Sequence, residues 1–372
     1  MKNVIALVNL HNSGELGVLT KSRPMASTTF LGRYTFIDFA LSNLTNSGID
    51  NIGILLKDHS RSIIKHLGSD STYLKNPKTG FQSIFINEYG LTNPPFNTDI
   101  KNIKENDWFL YDKNAKYVIV VPIQFVTKID FNNVIEEHIN SNKLVSVLYR
   151  KTTEAKKYFL NCDKVTIDAL GNIQKFDKNE GQSDEAYISL ETYIFNADYL
   201  RELLTKIDDI SSMFTLKDLI HFVCLYKEKI HAIEYKGYCR YFSSLSDYFN
   251  YSFELLDDDK AIEEFFTDDW IYYTTTHNTT PVLYGEKADV SNSFLANGCK
   301  INGKVKHSIL ARNVVVEEGA SVENSIIFTD TVIHSGMHLK NVIVDKHCNI
   351  KNKSEIIGEE NDPIYIPQGA NI

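Results

Sequence analysis

Long apolar runs are missing from this sequence, and the longest fall far short of the roughly 20 residues a membrane-spanning helix needs. The N-terminus enters an apolar strand almost at once, with neither a charged leader nor a long apolar segment. The expectation is therefore a soluble, cytoplasmic protein without a signal peptide or membrane partner. Cysteine is scarce and unpaired. Cys162, Cys224, Cys239, Cys299 and Cys348 lie far apart, are odd in number and form no C-x-x-C pair, which argues against a disulfide framework or a zinc site. Excess positive charge is missing too. The net charge is −9 and the Lys and Arg residues are scattered, so nucleic acid is not expected as a partner. Acidic runs such as Asp257-Asp258-Asp259 read as solvated surface.

What is present is a chain of 372 residues, long enough for two domains, with 43% hydrophobic and 12% aromatic content, hence folded and globular. Val4-Ile5-Ala6-Leu7-Val8 reads as a buried first strand. A loop with Asn9, Asn12, Ser13 and Gly14 follows, and then an ordered segment ending in Ile37-Asp38-Phe39. Strand, loop and return toward a helix is where an open α/β sheet puts a phosphate. Here the lining is wrong: the loop has only Gly14 and Gly17, and Glu15 places a negative charge where a triphosphate would lie.

Further along, 40–47 predicts a helix closed by Gly48, 51–56 a second strand and 60–67 another helix. Strands are expected at 117–121, 144–149, 188–195 and 231–235, with a hairpin over 164–176 around Leu170-Gly171-Asn172. Helices are expected at 134–140, 200–204, 216–226 and, as the last, 248–256. The strand–helix rhythm predicts a parallel sheet covered by helices. Between 69 and 107 the pattern weakens, with Pro94 and Pro95 marking loops. From about Val290 the composition changes to short aliphatic beats. Val316, Val322, Ile327, Ile333, Leu339, Val344, Ile350 and Ile356 recur every five or six residues, with Gly298, Gly303, Gly319 and Gly336 in the gaps. That period fits a hexapeptide β-helix, each strand turning one aliphatic residue inward, better than the alternative of a β-sandwich with regular turns.

Several runs carry a resemblance. Leu19-Thr20, Arg23, Phe30, Gly32-Arg33-Tyr34, Ile37-Asp38-Phe39-Ala40-Leu41-Ser42-Asn43 and Asn46-Ser47-Gly48-Ile49 resemble the bacterial glucose-1-phosphate adenylyltransferases (ADP-glucose pyrophosphorylases), as do Val344-Asp345-Lys346 and the beats around His307-Ser308-Ile309-Leu310. The resemblance covers nearly the whole chain. It implies a Rossmann-like (GT-A-like) nucleotidyltransferase α/β domain over 1–255, a linker over 256–285 and a left-handed parallel β-helix over 286–372.

The departures from that family are at the positions that carry its chemistry. The family's first loop is similar to G-G-x-G-x-R-L, and its Arg position is Glu15 here. A family Lys position is Met25. The metal-holding Asp at the end of the central strand is replaced by Gln124, after Val120-Val121-Pro122-Ile123, and a second metal Asp position is Tyr241. The F-V-E-K-P sugar-phosphate motif has given way to Phe176-Asp177-Lys178-Asn179, and no replacement Asp/Glu pair is visible at either strand end. Magnesium favours hard anionic oxygens, which a neutral amide does not supply, and losing one charge-stabilising group typically costs on the order of 10²–10³ in rate. A nearly dead site is expected, with no metal and no cofactor of its own. Lys21, Arg23 and Arg33 flank the altered loop. They are expected either as solvated surface cations or as residues that bind an anionic effector or brace a partner. His59 and His66 share a helical stretch but have no third metal ligand nearby.

The resemblance therefore implies a regulatory subunit of the GlgD type, which in Gram-positive bacteria accompanies a catalytic subunit. The expected assembly is a mixed tetramer with a catalytic glucose-1-phosphate adenylyltransferase subunit, which would use the Mg²⁺ and ATP, together with a small phosphorylated effector. The alternatives are an active enzyme with unusual site residues and a stand-alone sensor of sugar phosphates or nucleotides.

Overall fold

A computed structural model of the chain describes residues 3–68, 72–75, 78, 80–352, 354–360 and 362–372. The N-terminal domain is built on a nine-stranded sheet. From one edge the strands run Phe81–Ile86, Asn51–Leu56, Val4–Asn9, Tyr117–Pro122, Ala186–Asn196, Val145–Thr152, Ile230–Glu234, Asn172–Lys178 and Asp163–Ile167. Val4–Asn9 lies parallel between two neighbours, with Ala6 opposite both Ile52 and Ile119. Buried on both faces, such strands read as continuous apolar runs, which is why the sequence marks them so clearly.

The sheet is mixed, not parallel throughout. Ala186–Asn196 pairs antiparallel with both Tyr117–Pro122 and Val145–Thr152, and the hairpin of Asp163–Ile167 with Asn172–Lys178 closes the far edge. No helix separates 163 from 196, and a parallel return needs a crossover that a short connection cannot make. The weakly patterned stretch before residue 107 contributes the edge strand Phe81–Ile86 and the helices Glu88–Thr92 and Asp99–Glu105; parts of it lie outside the described residues. The helix Phe36–Asn46 starts four residues before its predicted position, because Thr35 and Asp38 form a reciprocal capping box at its N-terminus. It stops where expected, with Gly48 at φ +72° and its amide on the Thr45 carbonyl.

One further correction concerns the chain around the acidic run. Leu245–Asp257 is not the last helix, for Asp259–Phe265 follows it, its first turn capped by the Asp258 side chain on the Lys260 amide at 3.0 Å. The run Asp257-Asp258-Asp259 is itself exposed, as expected, and makes contact across the domains through Asp257. Asp257 bonds His307 of the C-terminal domain at 2.8 Å, while the Phe265 and Tyr272 rings that follow pack tilted and edge-on against Phe39 in the main core.

The C-terminal part is a left-handed β-helix of three parallel five-stranded sheets. Most coil steps take 17 residues, so Val316, Ile333 and Ile350 stack in one sheet, Val322, Leu339 and Ile356 in the second, and Ile327 and Val344 in the third; an early step such as Lys300 to Val315 is shorter, and the last step of the third sheet, Val342 to Ile364, is longer. All eight predicted beats point into one apolar core. The corners need left-handed backbone, supplied by Asn324 and Asn341 at φ +43° and +54°, whose side chains also bond each other at 2.7 Å. The third sheet faces the N-terminal domain. Ile309, Ile326, Phe328 and Ile343 are buried with Phe30, Phe36 and Tyr248 in one shared core. Gly32, at φ +71°, lets the chain pass close beneath the helix, since a Cβ there would sit 2.8 Å from the Leu310 carbonyl oxygen.

Candidate functional site

The loop after the first strand is pinned inward. Asn9 and Asn12 both donate to Asp99 Oδ2, at 2.7 and 3.2 Å, and Asp99 Oδ1 accepts the amides of Leu216 at 2.7 Å and Ile100 at 2.9 Å. Burial pushes the Asp99 carboxyl above its usual range, with the Leu216, Asn9 and Ile100 donors pulling it back only in part. His11 is buried, not at the surface. It accepts from Asn102 Nδ2 at 3.0 Å through Nε2, and burial lowers its pKa to about 4, so the ring stays neutral. Glu15 is exposed on the rim. A Cβ on Gly14 would lie 2.7 Å from the Phe242 carbonyl oxygen, so the loop is pressed against the segment that follows Tyr241.

Gln124 and Tyr241, 117 residues apart in sequence, are brought together. Phe125–Thr127 pairs antiparallel with Cys239–Tyr241, Phe125 opposite Tyr241, and the Phe242 amide donates to the Gln124 carbonyl at 2.9 Å. The Gln124 side chain is buried and gives its Nε2 to Glu191 at 2.8 Å. Glu191 sits on an irregularity of its strand at φ +49°, a backbone region that favours glycine. Lys217 reaches Glu191 at 3.2 Å and Asp163 at 2.9 Å, and His221 reaches the other oxygen of Asp163 at 2.7 Å. Burial raises the Glu191 carboxyl, while at Asp163 the His221 hydrogen bond and the Lys217 charge outweigh burial and hold it low. Burial pushes the Tyr241 phenol far up, which keeps it neutral.

These residues do not fit a magnesium ion. The Gln124 amide is uncharged, its Nε2 given to Glu191 and its Oε1 buried without a partner, Tyr241 is a protonated phenol, and the two nearby carboxylates are spoken for by Lys217. Among the described residues no group of three or more His, Cys, Asp or Glu is placed to hold a metal ion. His66 is instead bonded to Asp38 at 2.6 Å. Met25 is buried in the short turn Met25–Ser27, part of the main apolar core.

A second place concentrates charge of one sign. A cavity of about 360 Å³ lies between the domains, lined by Arg23, Arg33 and Lys65 on one side and by Arg312 and Lys346 on the β-helix side. One acidic residue, Asp330, lines it against these five cations. Burial and then the neighbouring Arg33 lower the pKa of Arg312, and burial and Arg23 bring Lys346 down to about 8. Arg23 is buried and ion-paired with Asp345, so it is not a solvated cation, and its Nε has no hydrogen-bond partner. Arg33 is exposed at the cavity wall, its guanidinium 5.7 Å from the Tyr34 ring centroid. Lys21 is exposed and is not among the lining residues.

The family profile described as nucleotidyl transferase matches residues 15–238. The chain belongs to the nucleotidyl transferase family. A second profile, described as GlmU-like, C-terminal hexapeptide, matches residues 280–363. The chain is similar to a glucose-1-phosphate adenylyltransferase of Desulfitobacterium hafniense, 27% identical over all of this chain and 96% of that protein. It is also similar to those of Fervidobacterium nodosum, 28% identical over 96% of this chain and 86% of that protein, and Thermosipho africanus, 28% identical over 87% and 78%.

Within this nucleotidyl transferase fold, sequence reasoning located Gln124 and Tyr241 but missed what holds them. Glu191, Lys217 and Asp163 come from three separate elements, and no spacing rule links them. The absence of a replacement carboxylate pair was read at the strand ends only, whereas Glu191 reaches Gln124 from the neighbouring strand. A glutamate forced into left-handed backbone was the only local clue, and φ is not visible in a sequence. Lys65, Arg312 and Lys346 were likewise missed, because the cavity forms only when the β-helix docks.

Proposed function

We propose that this chain is a regulatory, catalytically impaired subunit of a cytoplasmic glucose-1-phosphate adenylyltransferase in glycogen biosynthesis. That enzyme joins ATP and glucose 1-phosphate to give ADP-glucose and pyrophosphate. The chain would work in a mixed tetramer with a catalytic subunit that uses the Mg²⁺ and ATP. The observation that carries the reading is that neutral residues, Gln124 and Tyr241, stand on two paired segments at the positions where the family resemblance expects metal carboxylates, with the nearest acids already bridged by Lys217. Nucleotidyl transfer needs cationic and metal groups to meet charge developing on the phosphates, and the neighbourhood offers none uncommitted.

The interdomain cavity supports the regulatory half. Five crowded cations, two of them with depressed pKa values, favour an anionic, phosphate-bearing effector there. An effector acts only through differential contacts with two states of the assembly, and a cavity walled by both domains is suited to that. The test is pyrophosphate release by the purified chain with saturating Mg²⁺, ATP and glucose 1-phosphate, repeated after co-expression with a catalytic homologue. Negligible turnover alone and effector-responsive turnover in the mixed complex are expected. Turnover of the lone chain within about tenfold of an ordinary ~10 s⁻¹ would favour an active enzyme with unusual residues instead.

A further inference from the structure

Asp345 lies behind the cavity wall, paired with the lining residue Arg23, and its charge is the wrong sign for a site that attracts anions. It is fully buried just past the strand Val342–Val344 and has hydrogen-bond donors besides its ion-pair partner. Its Oδ1 accepts the Lys346 amide at 2.7 Å and its Oδ2 the Tyr365 hydroxyl at 2.6 Å. Arg23, reaching across from the other domain, is the partner left short. It gives Nη2 to Asp345, its Nε has no hydrogen-bond partner, and its guanidinium carbon lies 5.9 Å from the Phe328 ring centroid. A guanidinium carries five N–H donors in a rigid fork, so much of Arg23's capacity is uncommitted at the wall of the cavity.

We propose that Asp345 is a positioning residue for anion capture: it holds the Arg23 fork from behind so that the free donors meet a phosphate-class anion. The same contact would tie the bound anion, through Arg23, to the last coil of the β-helix. This rests on the cavity being the anion site. In the competing arrangement the anion pulls Arg23 off Asp345. That exchange is unfavourable, because separating a buried ion pair strands a charge and costs more than one charge-assisted hydrogen bond returns. Keeping the pair also spares the ligand the entropy of ordering a long side chain.

The two roles give opposite signs. As a bare negative charge Asp345 would weaken anion binding, and its removal would tighten it. As a positioning residue, its removal frees Arg23 and weakens binding. The experiment measures affinity of the full-length chain for inorganic phosphate at pH 7, by calorimetry, for the unaltered chain, Asp345→Asn, Arg23→Ala and the double variant. Asp345→Asn is expected to weaken phosphate binding about tenfold, and to weaken it no further when Arg23 is already Ala. Tyr365→Phe keeps the Asp345 charge but removes its hydroxyl partner, and is expected to weaken binding about threefold. It stands in if Asp345→Asn does not fold, and unaltered binding in it then overturns the proposal. Binding by Asp345→Asn that is equal or tighter overturns it, and so does an equal loss with and without Arg23, which is the mark of a general structural role. If the unaltered chain does not bind phosphate, the anion site itself fails and this inference falls with it. Phosphate binding that ignores Asp345 removes the inference alone.

Discussion

Gln124 gives its amide to Glu191 at 2.8 Å, and that bond makes the position costly to revert. Gln124→Asp would set a second carboxylate against a buried one. Stability should fall by about 3 kcal/mol at pH 7 and less at pH 5, where the pair can share a proton. Urea unfolding at the two pH values measures this, and pyrophosphate release should stay at background. A variant of unaltered stability that turns over would contradict the role given to Glu191. Lys346 gives a second prediction at this scale. Its pKa falls from 10.5 to about 8, so its charged form is disfavoured in the fold. Below pH 8 both folded and unfolded chains hold the proton and the penalty is fully present. Between 8 and 10.5 the unfolded chain holds a proton that the folded chain has shed, so stability rises with pH. Lys346→Met should therefore be more stable than the unaltered chain at pH 7, by up to about 3 kcal/mol, with the gap closing toward pH 10.5. A gap that does not change with pH would show that packing, not charge, sets it.

Among the elements, the contact of the β-helix with the first domain depends on small backbone details. Gly32 combines φ +71° with a 2.8 Å approach to the Leu310 carbonyl. Gly32→Val meets both a strained backbone and a collision with main chain, so a loss of about 2–4 kcal/mol is expected. Limited proteolysis should show faster cutting between 266 and 283, where the chain passes from one domain to the other. Unaltered cutting and an unaltered melting temperature would mean that the two domains dock without this passage. The helix Asp259–Phe265 offers a gentler case. Asp258→Ala removes its cap and should cost about 1 kcal/mol by urea unfolding, without disturbing the β-helix.

For the whole molecule, one sheet of the β-helix is committed to the N-terminal domain through Ile309, Ile326 and Ile343. The other two present their strands outward, with exposed Leu283 and Tyr284 at the first coil. Flat, repetitive strand faces of this kind are common association surfaces. Co-expression with a catalytic homologue and sizing at micromolar concentration should give a mixed species near a tetramer. Separate elution would remove the subunit reading and raise that of a lone sensor.

The sequence alone was sufficient for the β-helix, because each of its coils requires an aliphatic residue inward at every beat, and that demand is local and periodic. It was sufficient too for the buried strands, and Glu15, Met25, Gln124 and Tyr241 are visible in it as the departures on which the proposed loss of chemistry rests. It was not sufficient for the mixed sheet, since pairing direction depends on which strands meet. Nor could it anticipate Glu191, Lys217 and Asp163 closing around Gln124, or five cations from two domains converging on one cavity. Those arrangements are made by contacts between residues far apart in the chain, and only packing brings their charges within reach of one another.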